Sequence, residues 1–198
     1  MVRGAAPLSA LDHVRRVLDA RPGRADDDPT ARPAAVAVVL NEDPAGIAAL
    51  FIKRAERVGD PWSGQIAFPG GRYQTADSDL LSTAIREARE EVGIDLTPTE
   101  RLGALDDVNP RTPHLPPIVV RPYVFAVPER PTLITSPDEV QRAFWIPFST
   151  LSDPATRTQI TVTLRGVPRT FTAYQVEGEI IWGMTERILR SFLERISA

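Results

Sequence analysis

The 198-residue sequence contains no cysteine. Disulfide staples, thiolate metal sites and a cysteine nucleophile are therefore excluded. Histidine is scarce too: His13 and His114 are the only two, too few for a multi-histidine zinc centre. No run approaches the roughly 20 apolar residues that a membrane-spanning helix needs. A basic excess is lacking, with 23 Lys and Arg against 26 Asp and Glu and a formal net charge of -3. That balance argues against a general nucleic-acid binder. Met1 to Leu18 lacks the basic-then-apolar order of a signal peptide, so a cytoplasmic protein is expected. A chain of this length suits one domain able to bury roughly 70% of the surface its unfolded form exposes.

Proline, by contrast, is plentiful, with 19 residues, and it punctuates the chain. Leu8, Leu11, Val14, Val17 and Leu18 recur at helical spacing. Arg21 to Pro33, RPGRADDDPTARP, has little to bury and reads as a loose linker. The expected division is a helix and linker over 1–33 and a main domain over 34–198. In that domain AAVAVVL (34–40) and IAALFIKR (47–54) flank NEDPAG as a hairpin of buried strands. A short strand, Gln65–Phe68, ends in Pro69-Gly70-Gly71. Leu80–Val92 is the clearest helix, with Gly93 at its C-cap position. Strands are expected at Arg101–Val108, Val119–Val127 and Gln141–Ile146, and a second hairpin at Thr158–Leu164 and Thr170–Val176. A helix from about Trp182 to Ile196 closes the chain. The fold class is thus α/β (α+β), a mixed sheet with helices packed on its faces.

Chemistry concentrates in the helix LLSTAIREAREEV. Leu81, Ala84, Ile85, Ala88 and Val92 make its apolar face, while Glu87, Glu90 and Glu91 lie at i, i+3 and i+4 on one flank. Three such carboxylates repel, and near the helix C-terminus they also oppose the macrodipole. A bound hard cation, Mg²⁺ or Mn²⁺, reverses both penalties. The plainer alternative is a solvated charged face with Arg86 and Arg89 as local partners.

Gly71 followed by Arg86-Glu87-Ala88-Arg89-Glu90-Glu91-Val92-Gly93-Ile94 resembles the Nudix box, G-x5-E-x7-R-E-U-x-E-E-x-G-U with U apolar. Arg86 stands one residue too far from Gly71, and the first Glu of the box is absent. Asp77 takes its place counted from Gly71 and Ser78 counted back from Arg86. Asp77 or Asp79 could brace the box arginine in its stead. The resemblance implies an α/β/α sandwich and a metal-dependent hydrolase in which water attacks phosphorus within a diphosphate. It implies Glu87, Glu90, Glu91 and the Gly71 carbonyl as metal ligands. Glu87 and Glu91 are the principal pair, Glu90 is a third ligand or orients the water, and Arg86 belongs to the catalytic set.

Leu50–Gly71, LFIKRAERVGDPWSGQIAFPGG, is similar to the stretch before the box in coenzyme A pyrophosphatases, through Arg54-Ala55 and Gly64-Gln65-Ile66-Ala67-Phe68-Pro69-Gly70-Gly71. The intervening loop is one residue longer, with Gly59-Asp60-Pro61-Trp62 in it. Ile181-Trp182-Gly183-Met184-Thr185 also resembles that subfamily's closing helix. The implied substrate is CoA or acyl-CoA, cut to 3′,5′-ADP and a 4′-phosphopantetheine product. Candidate substrate contacts are Arg54, Arg57, Trp62 and Gly70, with Arg111 and His114 weaker candidates in the proline-rich loop. The expected partner is a small-molecule diphosphate, with no nucleic acid or membrane, and a homodimer stays open. Two rivals remain: the same chemistry on another nucleoside or isoprenoid diphosphate, and a module that binds a nucleotide without cutting it.

Overall fold

A computed structural model of the chain describes residues 9–58, 62–110, 116–164 and 166–197. The apolar run after the prolines forms β1 (Arg32–Asp43), which turns through Pro44-Ala45 into antiparallel β2 (Gly46–Arg54). Val38 and Leu40 of β1 pack into one core layer, Ala35, Ala37 and Val39 into the other. Burial on both faces is the reason these strands read as continuous apolar runs. Parallel to β1 runs β6 (Ile118–Val127), flanked by antiparallel β5 (Glu100–Ala104). On the far side of β2 lies antiparallel β7 (Val140–Pro147).

The detail that builds the site is a split in this sheet. β1 and β2 pair only at Leu40–Asp43 against Gly46–Ala49, then part. Into the gap go β3 (Ile66–Ala67), bonded to β2, and β4 (Gly70–Arg72), bonded to β1. The Ala37 amide donates to the Pro69 carbonyl at 2.8 Å and fixes the turn between them. Gly70 is required here, because a Cβ would lie 2.4 Å from the Ala35 carbonyl oxygen.

Helix α2 (Leu80–Val92) covers one face through Ala84, Ala88 and Val92. Its ends match the sequence signals: Asp79 caps it by accepting from the Ser82 amide, and Gly93 stops it at φ 72°. The other face carries α1 (Ala10–Ala20) and α4 (Gly183–Ile196), which bury Val14, Leu18, Ile188, Leu189 and Phe192. The result is an α/β/α sandwich around a mixed sheet. A second sheet of β8 (Arg157–Leu164), β9 (Val167–Val176) and β10 (Glu179–Trp182) adds Tyr174, Val176 and Ile181 to that core.

The segment expected to be a loose linker is tied down. Arg24 exchanges backbone contacts with 106–107, donating to Asp106 Oδ1 at 2.9 Å and accepting from the Asp107 amide at 2.9 Å. Gly23 lies so close to β5 that a Cβ would sit 2.2 Å from the Leu105 carbonyl oxygen. Ser9 caps α1, while Leu8 lies outside the described residues. Among the short elements not expected from the sequence are α3 (Phe148–Ser152), β4 and β10.

Candidate active site

The acidic flank of α2 faces the split in the sheet. A cleft of about 140 Å³ opens there, lined by Arg54, Ala55, Arg57, Gly70, Gly71, Glu87, Glu91 and Glu139. Glu87 and Glu91 share one wall, as i, i+4 spacing demands. Glu87 lies against the β4 backbone, where a Cβ on Gly71 would come within 2.4 Å of Glu87 Oε1. Glu91 accepts from the Gly70 amide at 2.9 Å and is only 3% exposed.

Burial dominates the electrostatics of this wall. It pushes the Glu91 carboxyl up to about 8; the Gly70 amide and the Arg54 charge oppose the rise, and Glu87 and Glu139 add to it. Glu87 is also raised, first by burial, with Arg86 acting against it. Arg86 is the organiser. Its Nε and Nη2 hold the Asp77 carboxylate at 2.8 and 3.0 Å, and Nη2 also donates to the Arg72 carbonyl at 3.2 Å. Nη1 reaches Glu87 Oε1 at 2.7 Å and Glu90 Oε2 at 2.9 Å. Asp77 therefore braces the arginine, and Asp79 is spent on the helix cap.

The three glutamates do not converge. Glu90 has a half-exposed side chain turned to Arg86 rather than into the cleft. Arg54 lines the cleft. Arg57 also borders it, but its guanidinium donates to the Asp138 carbonyl, with Nε at 2.9 Å. Trp62 is elsewhere, in a shallow depression with Arg32 and Arg72. Gly59, Asp60, Pro61, Arg111 and His114 lie outside the described residues.

Sequence reasoning missed Glu139. The Ile134 and Ser136 amides donate to the Val92 and Glu91 carbonyls at the end of α2, and the Ala55 amide donates to the Glu139 carbonyl at 2.9 Å. These bonds bring Glu139 into the lining of the cleft beside Ala55. Nothing local in SPDEV marks that placement.

Among the described residues no three His, Cys, Asp or Glu side chains close around one ion position. What the chain offers is an open oxygen-only wall with two largely buried carboxylates, Glu87 paired to Arg86 and Glu91 held by the Gly70 amide. Mg²⁺ is bound in this manner, by one or two carboxylates with water and substrate phosphate completing the octahedron. Glu87 and Glu91, on the cleft wall, fit a hard divalent cation; Glu87 and Glu90 share the Arg86 Nη1 donor, at 2.7 and 2.9 Å.

The sequence profile of the NUDIX domain matches residues 30–165. The chain is similar to the uncharacterized Nudix hydrolase NudL of Photorhabdus laumondii subsp. laumondii, 31% identical over 134 residues that cover 68% of this chain and 70% of that protein. It is also similar in structure to the NUDIX domain of Shewanella oneidensis NrtR complexed with ADP-ribose. That match has a TM-score of 0.50 and 19% identity over 68% of this chain and 83% of that one. A MutT/nudix family protein from Enterococcus faecalis matches with a TM-score of 0.53 and 19% identity, over 84% of this chain and 62% of that one. At such identities the two structural likenesses speak for the fold alone.

Proposed function

The chain belongs to the Nudix family of diphosphate-cleaving hydrolases, and we propose that it cuts the diphosphate of CoA or acyl-CoA into 3′,5′-ADP and (acyl-)4′-phosphopantetheine. The observation that carries the diphosphate reading is the buried Glu87–Glu91 pair against Gly70-Gly71, faced by Arg54 across one cleft. The CoA assignment is supported by the resemblance of Arg54-Ala55 and Gly64–Gly71 to the stretch preceding the box in CoA pyrophosphatases.

Mg²⁺ or Mn²⁺ held by Glu87 and Glu91 would screen the diphosphate and acidify a water molecule. The protein's own part is positioning. Arg86 fixes the direction of Glu87, and the Gly70 amide fixes that of Glu91. Arg54 supplies a guanidinium fork that suits phosphate oxygens. Glu139 lines the same cleft, 3.9 Å from Arg57 Nη2 and outside hydrogen-bond reach of it, and it takes the proton of the attacking water. The water oxygen bonds to phosphorus as the bridging P–O bond breaks, and the electron pair leaves with the departing phosphate. Arg86 is in this scheme a positioning residue, because its guanidinium is committed to Asp77, Glu87, Glu90 and the Arg72 carbonyl.

A second reading is the same cleavage of another nucleoside or isoprenoid diphosphate, favoured by the longer loop before Trp62. The protein belongs in the cytoplasm on either reading. The test is a mass-spectrometric screen with Mg²⁺ or Mn²⁺ against CoA, acetyl-CoA, ADP-ribose, NADH, dinucleotides, nucleoside triphosphates and geranyl diphosphate. Release of 3′,5′-ADP from CoA faster than any other cleavage is the expected result. Intact CoA beside another cleaved diphosphate overturns the CoA assignment alone. No turnover of any compound overturns the hydrolase reading.

A further inference from the structure

Arg32 and Arg72 lie on neighbouring strands of the split sheet. Arg72 pairs with Ala34, and Arg32 stands two residues before Ala34 on β1. The two are thus diagonal neighbours on one face, with Cα atoms about 7–8 Å apart. Trp62 and the Pro116-Pro117-Ile118 stretch complete a shallow depression around them, and among the described residues no carboxylate lines it. Several arginines elsewhere are matched to acids, among them Arg15 to Glu100, Arg86 to Asp77, Arg121 to Asp107 and Arg130 to Asp43. Arg32 and Arg72 form no ion pair among the described residues, so two exposed like charges share one concavity. An anion with several acceptor oxygens resolves that repulsion, and the flat indole beside it suits a planar ring.

The position along β4 links this depression to the cleft. Gly71, whose neighbour is Glu87, and Arg72 are consecutive. Strand alternation sends them to opposite faces, one step of about 3.3 Å apart. A substrate with its diphosphate at Glu87 and Glu91 can pass the edge of β4 and present its nucleoside end to Arg72. We propose that the Arg32–Trp62–Arg72 depression is a second substrate subsite, which takes a phosphate monoester on the nucleoside half with a planar ring laid against Trp62. This rests on the diphosphate-hydrolase reading above and specifies the class of nucleotide: one phosphorylated on its sugar in addition to the diphosphate.

The test uses ligands with no anhydride bond, so that binding is read without turnover. Calorimetric titration of the full chain with 3′,5′-ADP and with AMP should show at least a tenfold preference for the bisphosphate. Arg32→Gln and Arg72→Gln should each remove most of that preference and leave AMP affinity within about twofold. Trp62→Ala should weaken both ligands together. Both arginines are exposed, so the thermal midpoints of these variants should stay near that of the wild type. Equal wild-type affinities, or a preference that survives the Arg32→Gln/Arg72→Gln double variant, overturn the subsite. The diphosphate panel reports separately. Turnover without the preference sinks the subsite alone, and the preference without turnover sinks the hydrolase reading alone.

Discussion

The Arg86 guanidinium and the Asp77 carboxylate meet in a two-bond fork, Nε to Oδ1 at 2.8 Å and Nη2 to Oδ2 at 3.0 Å. Asp77 also accepts from the Gln74 amide and from Thr83 Oγ1, so one buried carboxylate joins the loop after β4 to α2. Arg86 holds it well below the usual carboxylate range. Asp77→Asn keeps the shape and removes the charge, and it leaves Arg86 free to pull on Glu87. The expected outcome is a 10–100-fold loss of metal affinity and of kcat/KM, the usual size for a partner that orients a ligand. Titration with Mg²⁺ and steady-state rates check it. Unchanged metal binding in a folded variant would remove Asp77 from the site.

Glu91 sets the pH response of the metal-free protein. Folded, its carboxyl titrates near 8; unfolded, it returns to about 4.5. Across that window the folded state binds more protons, so stability is full below about 4.5 and falls as pH rises towards 8. Asp77 acts at the other end, with its contribution lost only as pH drops below about 3.8. In chelator, the wild-type thermal midpoint should be lower at pH 8 than at pH 5.5, and Glu91→Gln should flatten the difference. Added Mg²⁺ should raise the midpoint more at pH 8, where its ligand is ionised. An equal slope in Glu91→Gln would show that the dependence arises elsewhere.

How legible these features were in the sequence depended on whether their cause was local. The bounds of α2 follow from residues within it, the Asp79 cap, the apolar spacing and Gly93, and all three could be read directly. The same holds for β1 and β2, whose buried runs are bounded by turn residues. Asp77 was legible as one of two candidates, because counting from Gly71 and counting from Arg86 disagree by a residue and only the folded loop decides. Glu139 was not legible. Its place depends on 134–140 docking onto the open end of α2, a contact between segments about 40 residues apart. The segment 21–31 misled for the same reason, since its backbone partners at 105–107 leave no trace in its composition. Spacing put Glu90 beside Glu87 and Glu91 on one flank, but a helix flank is wider than a cleft, and only Glu87 and Glu91 line it.

Gly70 and Gly71 make opposite demands on substitution. At Gly71 an added Cβ meets the Glu87 carboxylate, the far end of a flexible side chain, at 2.4 Å. At Gly70 it meets the Ala35 carbonyl oxygen and the Val36 Cα, at 2.4 and 2.6 Å, in a strand that cannot step aside. Gly71→Ala should therefore fold with a near-native midpoint and lose at least tenfold in Mg²⁺ affinity, as Glu87 swings away. Gly70→Ala should lose about 1–3 kcal/mol of stability, the usual cost of overpacking. Denaturant melts and metal titrations on the pair distinguish the two effects. Equal destabilisation by both would mean that Glu87 is not free to move.

Glu139 and Glu90 offer the sharpest contrast within the acidic set. Glu139 lines the cleft, and its charge raises both Glu87 and Glu91. Its side chain is about 44% exposed, and its Oε1 lies 3.9 Å from Arg57 Nη2, too far for a hydrogen bond. A carboxylate with that exposure is accessible to water, as a general base requires. Glu90 is spent on Arg86 at 2.9 Å and turned to solvent. Glu139→Gln should therefore lower kcat by roughly 10²–10⁴-fold, the range for loss of a general base, while KM and the thermal midpoint move little. Glu90→Gln should lower kcat by less than tenfold through a loosened Arg86. If instead Glu90→Gln abolishes turnover and Glu139→Gln is nearly silent, Glu90 must leave Arg86 when substrate binds, and the proton goes to α2 rather than to Glu139.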